Sequence, residues 1–141
     1  MYTNYVAKFE QVHTFLEQVS EFIVSKRLDA FKPLAFSFYV EFTSHEGAQE
    51  VTEYLMEKGF SVVTEQENKS NKWLCWCHCT SIPTPLKLEA MARSILYTIR
   101  TWDGALKRWE TNPYNSGQEL GQLLAAFELQ YLQEQQGVTP R

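Results

Sequence analysis

The sequence predicts an α+β fold built on an antiparallel sheet, on three observations. Phe36, Phe38, Val40 and Phe42 alternate with Ser37, Tyr39 and Glu41, the period of two that a half-buried strand requires. Leu88, Met91, Ala92, Ile95, Ile99 and Trp102 recur at the three-and-four spacing of one helix face. Segments of the two kinds follow in the order helix, then strand–helix–strand–strand–helix–strand, then helix. At 141 residues there is room for one domain with appendages.

The first element is a helix over about 5–28. Tyr5, Phe9, Val12, Leu16, Val19 and Ile23 form its stripe, and Phe15 and Phe22 widen it. Pro33 is incompatible with its continuation. Strand one is Leu34–Phe42. Ser44 then stands where a helix cap belongs, Ala48, Val51 and Leu55 form an inner face, and Gly59 ends that helix. Residues 60–64 are β-rich, 65–72 are a polar hairpin loop, and 73–80 form the third strand. Thr84 is a cap and Pro85 suits the first helical position. Asp103-Gly104 is a turn, 105–110 a fourth strand, and Asn112, Pro113, Asn115, Ser116 and Gly117 a linker. A final helix over about 118–135 carries Leu120, Leu124, Phe127 and Tyr131 on one face. This divides the chain into an N-terminal amphipathic helix (1–33), a core (34–112), and a C-terminal helix with a frayed tail (113–141).

The core order, β-α-β-β-α-β, is that of ferredoxin-like folds, with both helices on one face of the sheet. Along the third strand, Trp73, Cys75, Cys77 and Cys79 share one side and Leu74, Trp76, His78 and Thr80 the other. Apolar bulk on both sides implies that the second sheet face is covered too. The terminal helices are available for that, within the chain or across a homodimer.

With 44% hydrophobic and 21% charged residues, wholesale disorder is excluded. A net charge of −4 argues against binding nucleic acid through global charge. No run of 18 apolar residues marks a membrane span, and no basic stretch followed by an apolar run marks a secretory signal. The three cysteines, Cys75, Cys77 and Cys79, are clustered where a disulfide framework needs dispersed pairs. A cytoplasmic setting follows. Cysteines two apart on a strand stand roughly 6.5–7 Å from one another, too far to converge on zinc at ~2.3 Å, and His78 faces the other way. They read as small buried hydrophobes rather than as metal ligands, and no cofactor is implied.

Catalytic patterns are missing. There is no Gly-x-Ser-x-Gly elbow and no phosphate-binding glycine loop, and Glu65 and Glu67 lie in a solvated loop. Local charge is more informative. From Lys87 to Arg108 stand Lys87, Arg93, Arg100, Lys107 and Arg108 against Glu89 and Asp103. Arg93, Tyr97 and Arg100 share one exposed side of their helix, a strip suited to an acidic protein segment or RNA. The aromatics Phe38, Tyr39, Trp73 and Trp76 would serve RNA stacking, but the Lys/Arg-Gly-Phe/Tyr signature of RNA-recognition sheets is absent.

The middle of the chain resembles the regulator of ribonuclease E activity B (RraB-like) family. The resemblance is carried by the strand Phe36–Phe42 and by Met56-Glu57-Lys58-Gly59-Phe60-Ser61-Val62. It continues in Trp73-Leu74, Pro83-Thr84-Pro85, and Asp103-Gly104 with Trp109-Glu110 downstream. Four residues, Ala105 to Arg108, separate that last pair of motifs. An amphipathic helix stands where the family's bacterial regulators carry an acidic extension. The resemblance implies a ferredoxin-like, non-catalytic module that binds a ribonuclease and inhibits RNA cleavage. The expected contacts are Asp103, Gly104, Trp109 and Glu110 from the family-like segment, with Arg93, Tyr97 and Arg100 from the exposed helix. The alternative is a ligand-binding or self-associating domain of the same fold, or a weak RNA binder.

Overall fold

A computed structural model describes residues 5–66 and 71–114. Its elements are β1 (Tyr5–Ala7), α1 (Val12–Ser25), β2 (Leu34–Phe42), α2 (His45–Glu57), β3 (Ser61–Gln66), β4 (Trp73–Ser81), α3 (Pro85–Thr101) and β5 (Ala105–Pro113). The five strands form one antiparallel sheet in the order β1-β5-β2-β4-β3. Strand β2 has the bounds that its alternation predicts. Both foreseen caps are present: the Ser44 hydroxyl accepts from the Gly47 N–H at 3.0 Å, and the Thr84 hydroxyl from the Lys87 N–H at 3.4 Å.

All three helices pack on the same face. Phe15, Val19 and Phe22 of α1 meet Phe36, Phe38 and Val40 of β2, Cys75 and Cys77 of β4, and Trp109 of β5. The Phe15 ring lies 4.8 Å from that of Trp109 and 5.7 Å from that of Phe38. Leu55 of α2 and Ile95 of α3 complete this core. Apolar area removed from water at roughly 25 cal/mol per Å² is what holds the layers together. The three thiols line the helix-covered side of β4 as expected. Burial pushes Cys75 up to about 11 and Cys79 up to about 12, so they persist as neutral, unreactive side chains.

Three expectations are corrected. The helix predicted from Tyr5 begins at Val12, because residues 5–7 pair instead with β5, Tyr5 opposite Thr111 and Ala7 opposite Trp109. A strand there satisfies backbone groups along the β5 edge, a tertiary demand that the stripe does not encode. Phe9 is nevertheless buried in the core. Second, the stripe suited to a homodimer or to the second sheet face is buried inside the chain, on the first face. Third, Asn112 and Pro113, predicted as linker, continue β5 opposite Ala35 and Leu34. The predicted helix over 118–135 lies outside the described residues.

Each helix ends on a left-handed residue followed by a six-to-one backbone bond. The bonds are Leu28 N–H to Ile23, Phe60 N–H to Leu55, and Gly104 N–H to Ile99, at 2.9, 3.0 and 2.8 Å. The left-handed residue is Gly59 in one case, but Arg27 (φ 54°) and Asp103 (φ 53°) in the others. Strand β5 carries a bulge: Tyr39 pairs with Arg108 and Val40 with Leu106, so Lys107 is the extra residue. The bulge lets Leu106 and Trp109, three apart, both join the core, and it sends Arg108 and Glu110 to the second face.

Candidate partner-binding site

Helix α3 presents Arg93, Tyr97 and Arg100 at i, i+4 and i+7, and all three are exposed. Helix α2 lies beside it and contributes Tyr54 and Lys58. The Tyr54 and Tyr97 rings stand 4.9 Å apart and tilted by 35°, and Trp102 sets its ring edge-on to Tyr97 at 5.8 Å. Lys58 holds its ammonium 5.4 Å from the centre of the Tyr54 ring, a cation–π arrangement. Tyr54, Lys58, Arg93, Tyr97 and Arg100 line a groove of about 530 Å³. Tyr97 is 48% exposed, a large aromatic surface left to water.

Arg93 is oriented from within its own helix. Its Nε and Nη2 donate to Glu89 Oε1 at 3.0 and 2.8 Å. An exposed pair of this kind contributes little stability, about 0.3–0.5 kcal/mol, but it fixes where the guanidinium stands. Arg100 donates from Nη2 to the Glu10 carbonyl at 3.2 Å. It forms the ridge between this groove and a second one of about 600 Å³, lined by Lys8, Phe9, Gln11, Gly104 and Leu106. Cations held in place beside tilted and edge-on aromatic rings offer a surface suited to a carboxylate-rich, partly apolar segment.

The sequence-predicted residues therefore separate. Arg93, Tyr97 and Arg100 share one groove, and Arg100 and Gly104 the neighbouring one. Asp103 is exposed at the α3 terminus. A Cβ on Gly104 would overlap the Phe42 ring, so this glycine serves a close approach of backbone to ring. Trp109 is fully buried, and its Nε1 donates to Gln18 Oε1 at 3.0 Å. Glu110 is fully buried on the opposite face. As surface contacts, Trp109 and Glu110 are corrected: the bulge at Lys107 turns one into the core and the other away from both grooves. Tyr54 and Lys58 were missed. Their spacing marks one side of α2, but nothing in the sequence says that this side meets α3.

The second face holds a different group. Arg108 Nε stands 3.4 Å from Glu110 Oε1, and its guanidinium lies over the Tyr39 ring at 4.6 Å. The Tyr39 hydroxyl donates to Glu110 Oε2 at 3.4 Å. Burial, reinforced by the Glu110 charge, holds the Tyr39 phenol well above its usual range. Beside them Ser37 Oγ and His78 Nδ1 share a 2.8 Å hydrogen bond, and burial lowers His78 to about 4. Among the described residues no group of three or more His, Cys, Asp or Glu side chains could hold a metal ion.

The sequence model of the family described as "Regulator of ribonuclease activity B" matches residues 13–111. The chain belongs to the RraB family. The match runs from the start of α1 to β5, so α1, first read as an addition to the resembling region, lies within the RraB match. That agrees with its place in the RraB core described above. No curated protein matches the chain. Among the described residues no helix is long and apolar enough to cross a membrane.

Proposed function

We propose that this chain is a non-catalytic, cytoplasmic protein-interaction module that binds a ribonuclease and inhibits its cleavage of RNA. The groove between α2 and α3 takes up an acidic segment of that partner. Membership of a family described as regulators supplies the ribonuclease. The observation that carries the site is the exposed Tyr97 ring, backed by the half-buried Tyr54 and Trp102 and flanked by Lys58, Arg93 and Arg100. Aromatic and arginine side chains dominate binding energy at protein interfaces, and this is where the described surface gathers them. A ferredoxin-like core is part of the proposal. The β-α-β-β-α-β order of β2 to β5 and their arrangement β5-β2-β4-β3 support it.

The test is a cleavage assay with a ribonuclease purified from the same cell, alongside a direct binding measurement. Wild-type protein is expected to slow cleavage. Arg93→Glu with Tyr97→Ala should weaken binding at least tenfold, while loss of the Tyr54 and Trp102 ring contacts and of the Glu89 pair costs about 1–2 kcal/mol of folding stability, which leaves the chain folded. Binding should also weaken as salt rises. Full inhibition by the double variant would remove the groove from the proposal, and no inhibition by the wild type would remove the ribonuclease.

A further inference from the structure

The groove between α2 and α3 does not end at Arg100. Leu96 and Arg100 line both it and the neighbouring groove of about 600 Å³. On the other side, residues 8–11 line the neighbouring groove and Val12 lines the first. The two grooves are therefore halves of one trough, walled by α3 and by the 8–12 segment. Across its middle runs a strap, the Arg100 guanidinium bonded to the Glu10 carbonyl at 3.2 Å.

Charge is unevenly spread along this trough. Its lining cations are Lys8, Lys58, Arg93 and Arg100, all exposed, on a chain whose net charge is −4. Glu10 is the one acidic residue among those lining either half. Arg93 pairs with Glu89, whereas Lys8, Lys58 and Arg100 pair with no carboxylate among the described residues. Cations gathered on an acidic protein without internal partners favour complementary charge from outside. Between them the trough is apolar: Phe9 and Leu96 are buried, and Val12, Ile99 and Leu106 are half-buried.

Spacing selects the shape of the occupant. Arg93 and Arg100 stand about 10.5 Å apart along the axis of α3. An extended chain covers that distance in about three residues. A helix, about 10–12 Å wide with its side chains, would have to ride above the Arg100 strap. An extended chain lies over the strap and reaches into both halves.

On the functional reading of this surface, we propose that the partner's acidic segment is extended and continuous across the Arg100 strap. One carboxylate meets Lys58 and Arg93, an apolar side chain lies against Tyr97, and carboxylates about three residues further on meet Arg100 and Lys8. The neighbouring groove is thereby the second half of the same site, and Lys8 is one of its binding residues.

The probe is a synthetic peptide of about twelve residues, a repeat of Glu-Glu-Phe, which at ~3.3 Å per residue spans both halves. Its binding to the full chain is read by calorimetry and by amide chemical shifts. Shifts are expected on both sides of the strap, at Lys58 and Tyr97 and at Lys8 and Gly104. Lys8→Glu and Arg93→Glu should each weaken binding about fivefold, and Arg100→Glu, which serves both halves, by more than either. Glu10→Gln removes the opposing carboxylate but keeps the carbonyl that Arg100 holds, so binding should tighten about twofold, a gain that a purely structural role does not give. The same peptide with Gln in place of Glu should bind at least about tenfold more weakly.

Weakening by Arg93→Glu but not by Lys8→Glu, with shifts confined to Lys58 and Tyr97, would overturn the extended site and leave the α2–α3 groove of the functional reading standing. Equal affinity for the Gln peptide would overturn it, as would tighter binding of oligouridylate at the same residues, which would assign the trough to RNA. Absence of peptide binding would overturn it as well, while inhibition of a ribonuclease that Arg93→Glu with Tyr97→Ala abolishes would still uphold the functional reading. Peptide binding as expected, without inhibition of a ribonuclease, would uphold this site and remove the ribonuclease.

Discussion

On the face under the helices, β2, β4 and β5 contribute Phe36, Phe38, Val40, Cys75, Cys77 and Trp109, an almost wholly apolar set. On the other face the same strands bury Ser37, His78 and Glu110 beside Tyr39 and Trp76, with Arg108 partly buried among them. Both faces are dry, but by different physics. The first gains from every methylene removed from water and asks little of geometry. The second holds its charged and polar groups by pairing them, and loses heavily if a pair is broken. The fold therefore rests on the first face, while sensitivity to charge and pH resides in the second.

The largest expected effect tests the first face. Trp109 touches Phe9, Phe15, Phe36 and Phe38 at once, with ring centres 4.8–6.5 Å away. Trp109→Ala leaves a cavity that four aromatic neighbours cannot fill. It should cost about 3–5 kcal/mol of unfolding free energy by denaturant titration. A loss under about 1 kcal/mol would mean that the layer under α1 is loosely packed.

On the second face, Glu110→Ala removes the carboxylate beside Arg108 and leaves the guanidinium in a site where its side chain is 13% exposed. A loss of about 3 kcal/mol is expected. Arg108→Met with Glu110→Leu removes both charges and should restore stability to within about 1 kcal/mol of the wild type. If the double variant is as unstable as the single, the pair has a role beyond cancelling its own charge, and the contrast between the faces must be redrawn.

Much of this contrast was legible before the structure. The alternation of β2 assigns its phenylalanines to one face and Tyr39 to the other, and the Cys75–Cys79 set falls with the phenylalanines. Ser44 and Thr84 are legible as caps because a hydroxyl before an apolar helical stripe has one common use. Residues 5–7 were not. Two apolar positions four apart fit a helix turn as well as a strand end, and only the β5 edge decides. The end of α1 was hidden for a related reason, since its left-handed residue is Arg27 rather than glycine. In the candidate site, Arg93, Tyr97 and Arg100 follow from helix geometry alone. Tyr54 and Lys58 join them through the packing of α2 against α3, and Trp109 and Glu110 leave through a one-residue bulge. Local periodicity encodes neither event.

An effect that is absent at neutral pH and grows only on acidification sharpens the comparison further, since His78 is a buried group on the second face that changes charge under mild conditions. Its ring faces Ser37, while Arg108 and Glu110 belong to the same side of the sheet. Burial lowers its folded-state value to about 4, against 6.5 for the free side chain. Below about pH 6.5 the unfolded chain binds a proton that the folded chain refuses. Stability should therefore be constant above that point and fall as pH drops towards 4, by roughly 3 kcal/mol in all, then level off. His78→Gln should lack this component while retaining the loss due to carboxylates. Unfolding curves for both proteins at pH 7, 5.5 and 4 make the comparison. Parallel decline in the two would show that His78 is hydrated in the folded state, and that the second face is wetter than its burial indicates.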